Sequence, residues 1–229
     1  MTEQTTEGGI EQPPQGALVR VWSPVIRIVH WTLVAAFAVA WLTEDDLLQA
    51  HVWAGYVAAV AVLLRLIWGF AGPERDRFTQ FLRPPGEVLR YLRDAVSLRG
   101  RRYIGHSPAG AAMAVAVLLS MAATAGTGMV TLAETKNAGP LAPWFGGTAG
   151  RAGLTLVTPA WADGHEHEGH RREHGGHGES AMKEIHEFLA YLTLMLVLLH
   201  VGGVALASLS HRENLVRSMI TGHKRADPV

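Results

Sequence analysis

His186 and His200 stand fourteen residues apart in the last apolar run of the chain, and the first two apolar runs each hold one histidine, His30 and His51. On a helix, fourteen residues rise ~21 Å and fall only ~40° short of four whole turns, so both imidazoles leave nearly the same face at two depths. An ionisable group inside a membrane is costly enough to mark a working site by default. Cysteine is absent, which excludes a thiolate-bound iron–sulfur cluster, a covalent Cys-x-x-Cys-His haem and a disulfide relay. Any redox centre must use other ligands, of which imidazole is the obvious one.

The elements that must position these histidines are read from segregation, because 48% hydrophobic and 17% charged residues would also suit a soluble domain of 229 residues. Residues 25–42, 51–72, 109–133 and 185–209 are dominated by Ala, Val, Leu, Ile, Phe, Trp and Gly. At ~1.5 Å per residue each can cross ~30 Å of hydrocarbon. The expected fold is an all-α integral membrane protein, an antiparallel bundle of four transmembrane helices at about 24–43, 51–72, 108–133 and 183–209. Ser23 followed by Pro24 supplies an N-cap with proline at the first helical position. Trp22 and Trp41 bracket the first span and Trp53 and Trp68 the second, as an interfacial aromatic belt requires.

Lys and Arg remain preferentially on the cytoplasmic side. The loop 73–105 holds eight arginines and the tail beyond Leu209 adds Arg212, Arg217, Lys224 and Arg225, so both are expected inside. The loop 43–50 carries Glu44, Asp45 and Asp46 with no base and, like the long loop at about 134–182, is expected outside. Both termini are then cytoplasmic, with residues 1–22 a mobile tail lacking the basic start and apolar core of a cleaved signal, and 210–229 a second tail. In the inner loop, Val88, Leu89, Leu92, Ala95 and Val96 recur at helical spacing and predict an amphipathic surface helix at about 85–97.

Depth then pairs the histidines. His30 lies ~9 Å above the inner start of helix one and His200 ~13 Å above the inner end of helix four, while His51 and His186 open their helices at the outer surface. The result is two bis-histidine sites stacked across the bilayer, the pattern that two axially ligated haems require. Gly55, one turn from His51, and Gly202 and Gly203 after His200 leave room for a flat macrocycle. Arg27, three residues before His30, and Lys183, three before His186, are candidate propionate partners. Arg65, the one base within a transmembrane run, either holds a propionate or snorkels to the headgroups.

An ordered set of motifs resembles the prokaryotic di-haem cytochrome b561 family, in its nickel–iron-hydrogenase b-type cytochrome subgroup. The set comprises Arg27-Ile-Val-His30-Trp31, His51-Val-Trp-Ala-Gly55, Arg65-Leu-Ile-Trp-Gly-Phe-Ala-Gly-Pro73, Gly105-His106-Ser-Pro-Ala-Gly110, His186, His200 and His211-Arg-Glu-Asn-Leu-Val-Arg-Ser-Met-Ile-Thr-Gly222, spanning about residues 20–225. The resemblance implies two haem b groups on His30, His51, His186 and His200, and electron transfer between membrane quinone and a partner. That partner would be a periplasmic cytochrome c or a hydrogenase-like redox protein, and the chain would act as a quinone-linked oxidoreductase of the bacterial inner membrane. Since quinone in this family sits near the inner haem, His106, Arg27 and Arg65 are candidates for its headgroup or for propionates; His106 could equally cap helix three at the interface. A homodimer is compatible with the sequence, and no nucleic-acid partner is expected.

The outer loop departs from the family pattern with His165, His167, His170, His174 and His177 among Glu166, Glu168 and Glu173. Such a tract can bind Zn, Ni or Cu weakly, or be a solvated polar loop. It supports a rival reading as a divalent-metal transporter or metal sensor. A hydrated cation path needs oxygen ligands at mid-membrane depth, whereas helices one to three hold no acid in their apolar spans, and Glu184 and Glu187 sit only at the outer end of helix four.

Overall fold

A computed structural model describes residues 18–44, 47–81, 84–96, 107–147, 176–210 and 213–225. The elements run β1 (Leu18–Arg20), α1 (Pro24–Leu42), α2 (Leu48–Ala71), a 3-10 turn (Glu74–Asp76), α3 (Phe78–Phe81), α4 (Pro85–Val96), α5 (Pro108–Lys136), α6 (Ala142–Phe145), α7 (Gly176–Ser210), α8 (Leu215–Thr221) and β2 (His223–Arg225). Among them α1, α2, α5 and residues Ala181–Ser210 of α7 are long and apolar enough to cross a membrane. The four-helix expectation holds.

Local chemistry sets the helix ends. The Ser23 hydroxyl accepts from the Ile26 amide at 3.3 Å with Pro24 leading α1, and Ser107 accepts from Gly110 at 3.1 Å with Pro108 leading α5. Both serines satisfy an amide that the first helical turn leaves orphaned. At the other end of α5, Asn137 takes the left-handed conformation at φ 50°, and its Oδ1 accepts from Gly147 at 2.6 Å.

Two starts differ from the sequence reading. Helix α2 begins at Leu48, so His51 lies within its first turn. Helix α7 begins at Gly176, ten residues before His186, because Glu179, Ala181, Met182, Lys183 and Glu184 are good helix formers that extend it past its apolar span. Helix α4 covers Pro85–Val96 and packs on α5.

The ends of the chain also depart from the expectation of plain tails at 1–22 and 210–229. Strands β1 and β2 pair antiparallel, with Leu18 opposite Arg225 and Arg20 opposite His223. The amides of Val21 and Trp22 donate to the Gly222 carbonyl at 2.8 and 3.2 Å, and Arg27 Nη1 donates to the Ile220 carbonyl. Gly222 turns the chain between α8 and β2 at φ 84°, a conformation that glycine adopts without a Cβ penalty. Three-residue strands carry too little periodicity to be read from sequence.

The core is thin and built largely from small residues: Ala36 of α1, Ala58 and Val62 of α2, and Ala111, Leu118 and Met121 of α5 close together with Phe78. Large apolar side chains such as Leu63, Phe70, Leu119, Phe188, Leu198 and Val201 point outward instead. Small residues between helices and large ones outside are the arrangement expected when the surroundings are hydrocarbon, where close backbone approach rather than water exclusion drives association. Helix α1 packs along α2, α2 against α5, and α5 along α7. The backbones of α1 and α2 do not run in close contact with α7, leaving a seam between them.

Candidate haem-binding seam

Four histidines bridge that seam in two pairs. The His30 ring of α1 faces His200 of α7 with centroids 6.5 Å apart and planes at 56°. The His51 ring of α2 faces His186 of α7 at 6.2 Å and 86°. The members of the expected inner pair and of the expected outer pair therefore meet as the depth argument required. Fourteen residues of α7 separate the two levels, a rise of ~21 Å.

The outer pair has a defined tautomer. His51 Nδ1 lies 2.8 Å from the Ala40 carbonyl oxygen, and His186 Nδ1 lies 3.0 Å from the Thr124 carbonyl and 3.2 Å from Thr127 Oγ1. A carbonyl oxygen only accepts, so Nδ1 of each ring must carry the proton, and Nε2 keeps its lone pair. Metal-bound histidines are oriented in this way, by a hydrogen bond from the nitrogen that does not bind the metal. At the other level His30 Nδ1 is buried without a hydrogen-bond partner among the described residues, and the ring packs edge-on to Trp31 at 5.4 Å.

Helix α5 positions His186 although it contributes no histidine. Its hydroxyl residues recur every three or four positions at Ser120, Thr124, Thr127 and Thr131. Thr193 of α7, fully buried, lies 2.7 Å from Ser120 Oγ and 3.0 Å from Thr124 Oγ1, locking the two helices in register halfway between the histidine levels. Gly128 then gives the imidazole its space: a Cβ there would stand 2.8 Å from His186 Cε1. Sequence reasoning missed Thr124, Thr127, Gly128 and Ala40. The Thr and Gly periodicity within an apolar helix was the available signal for the first three, whereas Ala40 acts through its backbone and leaves none.

A bis-histidine haem fits these residues. A metal–imidazole bond of ~2.0 Å on each side of one iron sets the two ring centres ~6 Å apart, close to the observed 6.5 and 6.2 Å. Rotation about each such bond is free enough to admit both interplanar angles. No atom lies within 4 Å of where a Gly55 Cβ would be, one turn from His51, so the expected clearance exists there. Gly202 and Gly203 are likewise open, on an exposed stretch of α7.

The expected basic partners are less uniform. Arg27, half-buried one turn from His30, spends Nη1 on Ile220 while its Nε is buried without a hydrogen-bond partner among the described residues, so a donor remains available beside the His30–His200 pair. Arg65 places its guanidinium 4.7 Å over the Phe78 ring, beside a 3-10 turn in which Asp76 accepts from Trp68 Nε1 at 2.9 Å. Lys183 forms an exposed pair with Glu187 at 3.6 Å. His106, His165, His167, His170 and His174 lie outside the described residues, and His177 falls in the first turn of α7 with its side chain likewise outside them. Among the described residues no group of three metal-ligating side chains converges.

A family model described as prokaryotic cytochrome b561 matches residues 21–222. Comparison with curated proteins and with solved structures gave no match. The matched stretch runs from the entry to α1 through α8 and contains all four seam histidines. The chain belongs to the prokaryotic cytochrome b561 family, multi-pass bacterial membrane proteins that transfer electrons across the bilayer through haem b.

Proposed function

We propose that this protein carries electrons between membrane quinone and a redox partner through two bis-histidine haem b sites. His30 and His200 form the inner site, and His51 and His186 the outer. The observation that carries the reading is the pair of facing imidazoles at each of two levels, 6.5 and 6.2 Å between centres, across a seam that the helix backbones leave open. Haem supplies a one-electron couple at each level. The chain's own residues hold and orient: Ala40 and Thr124 fix the outer tautomers, Gly55 and Gly128 keep space, and Arg27 offers a donor to a propionate or to a quinone headgroup at the inner end. His106 and Arg65 are the further quinone or propionate candidates of that end, and Lys183 is the one at the outer end.

The docked partner of this reading is a periplasmic cytochrome c or a hydrogenase-like protein, and the membrane is the bacterial inner membrane. Purified protein should give a Soret band and a b-type pyridine haemochrome at two haems per chain, reducible by added quinol. His200→Ala should lose the inner haem and keep the outer one. A preparation without haem from haem-replete cells, or a His200→Ala variant that loses both haems equally or neither, would overturn the assignment.

A further inference from the structure

The two histidine levels are not equivalent. Both outer rings direct Nδ1 at backbone carbonyls, and His186 has a second acceptor in Thr127 Oγ1. At the inner level, among the described residues, His30 Nδ1 has no hydrogen-bond partner and the His200 ring makes no hydrogen bond. A hydrogen bond from the non-ligating nitrogen gives the imidazole partial imidazolate character, which makes it a stronger donor to the metal and favours the oxidised ion.

On the two-site reading above, we infer that His51 and His186 form the lower-potential site and that Thr127 is a positioning residue that tunes it through His186. Thr127 is suited to this. Its own proton is committed to helix carbonyls, Ala123 at 2.9 Å and Thr124 at 3.0 Å, so toward His186 its oxygen acts as an acceptor. The bond from His186 is thereby shared between Thr124 and Thr127, and only the Thr127 arm can be removed by substitution.

The test is an equilibrium redox titration followed by haem absorbance. His200→Ala, which keeps only the outer pair, should titrate at lower potential than His186→Ala, which keeps only the inner pair. In the otherwise unaltered chain, Thr127→Val should shift the lower of the two transitions upward and leave the upper one in place, with Thr127→Ser restoring the original value. Valine matches threonine in shape, so this arm does not depend on the histidine variants being stable. If each histidine variant keeps one haem but the order is reversed or equal, the inference fails while the two-site reading stands. It fails equally if Thr127→Val moves the upper transition or neither. If the histidine variants do not keep one haem each, the two-site reading itself fails.

Discussion

Gly128→Ala separates the stability of the fold from the integrity of the outer site. The new methyl carbon would stand 2.8 Å from His186 Cε1 and 3.2 Å from its Nδ1. Ordinary carbon contacts are ~3.5–4.0 Å, so the ring must retreat by ~0.7 Å or more. Metal–ligand distances tolerate only ~0.2 Å, and the same retreat breaks the 3.0 Å bond to the Thr124 carbonyl. The global cost is small by comparison. Replacing a helical glycine with alanine gains ~1 kcal/mol and overpacking costs ~1–3 kcal/mol, which leaves a net cost of ~0–2 kcal/mol. On the two-haem proposal, the variant should fold, insert and keep the haem of the His30–His200 pair, about 21 Å away by helix rise, while haem content by pyridine haemochrome falls from two per chain toward one. Gly126→Ala is the control, because nothing lies within 4 Å of its Cβ position, and it should keep both haems. Full haem content with an unchanged spectrum in Gly128→Ala would refute the placement of His186 against α5.

Thr193→Val removes the hydroxyl that joins α5 to α7 through Ser120 and Thr124; at ~0.6 kcal/mol per interhelical bond in a membrane it should cost ~1 kcal/mol, read as a lower midpoint of thermal unfolding in detergent, with haem loss beginning at the outer site. Gly222→Val forces a β-branched residue to φ 84° against the Trp22 carbonyl and should cost ~1–3 kcal/mol, seen as faster proteolysis of the paired ends with haem content unchanged. Asn214→Ala deletes the cap that accepts from Arg217 at 2.8 Å and should destabilise α8 by ~1 kcal/mol, measurable as faster amide exchange confined to Leu215–Thr221.

How much of this was legible depends on what kind of atom does the work. The spans and the four histidines could be read because hydrocarbon-length apolar runs are rare and a side chain with ligating nitrogen stands out within them. Pairing by depth followed from helix rise alone, and the rings of His30 and His200 and of His51 and His186 do face each other. What escaped was the support. The carbonyls of Ala40 and Thr124 belong to no side chain, so no residue type announces them. The role of Gly128 depends on which face of α5 meets α7, a packing fact rather than a pattern. The place of Arg27 one turn from His30 followed from spacing, but its tie to Ile220 rests on a contact 193 positions along the chain.

The fourteen residues between His186 and His200 also set an electrical quantity. A rise of ~21 Å is about two thirds of a ~30 Å hydrocarbon layer. A full crossing is worth ~2.3 kcal/mol per charge at 100 mV, so one electron moving between the two proposed levels exchanges ~1.6 kcal/mol with the membrane field. Inward transfer works against a negative interior and outward transfer draws on it. On the proposed quinone-linked reading, turnover should therefore respond to voltage imposed on sealed vesicles, and one helix of fixed length sets how strongly.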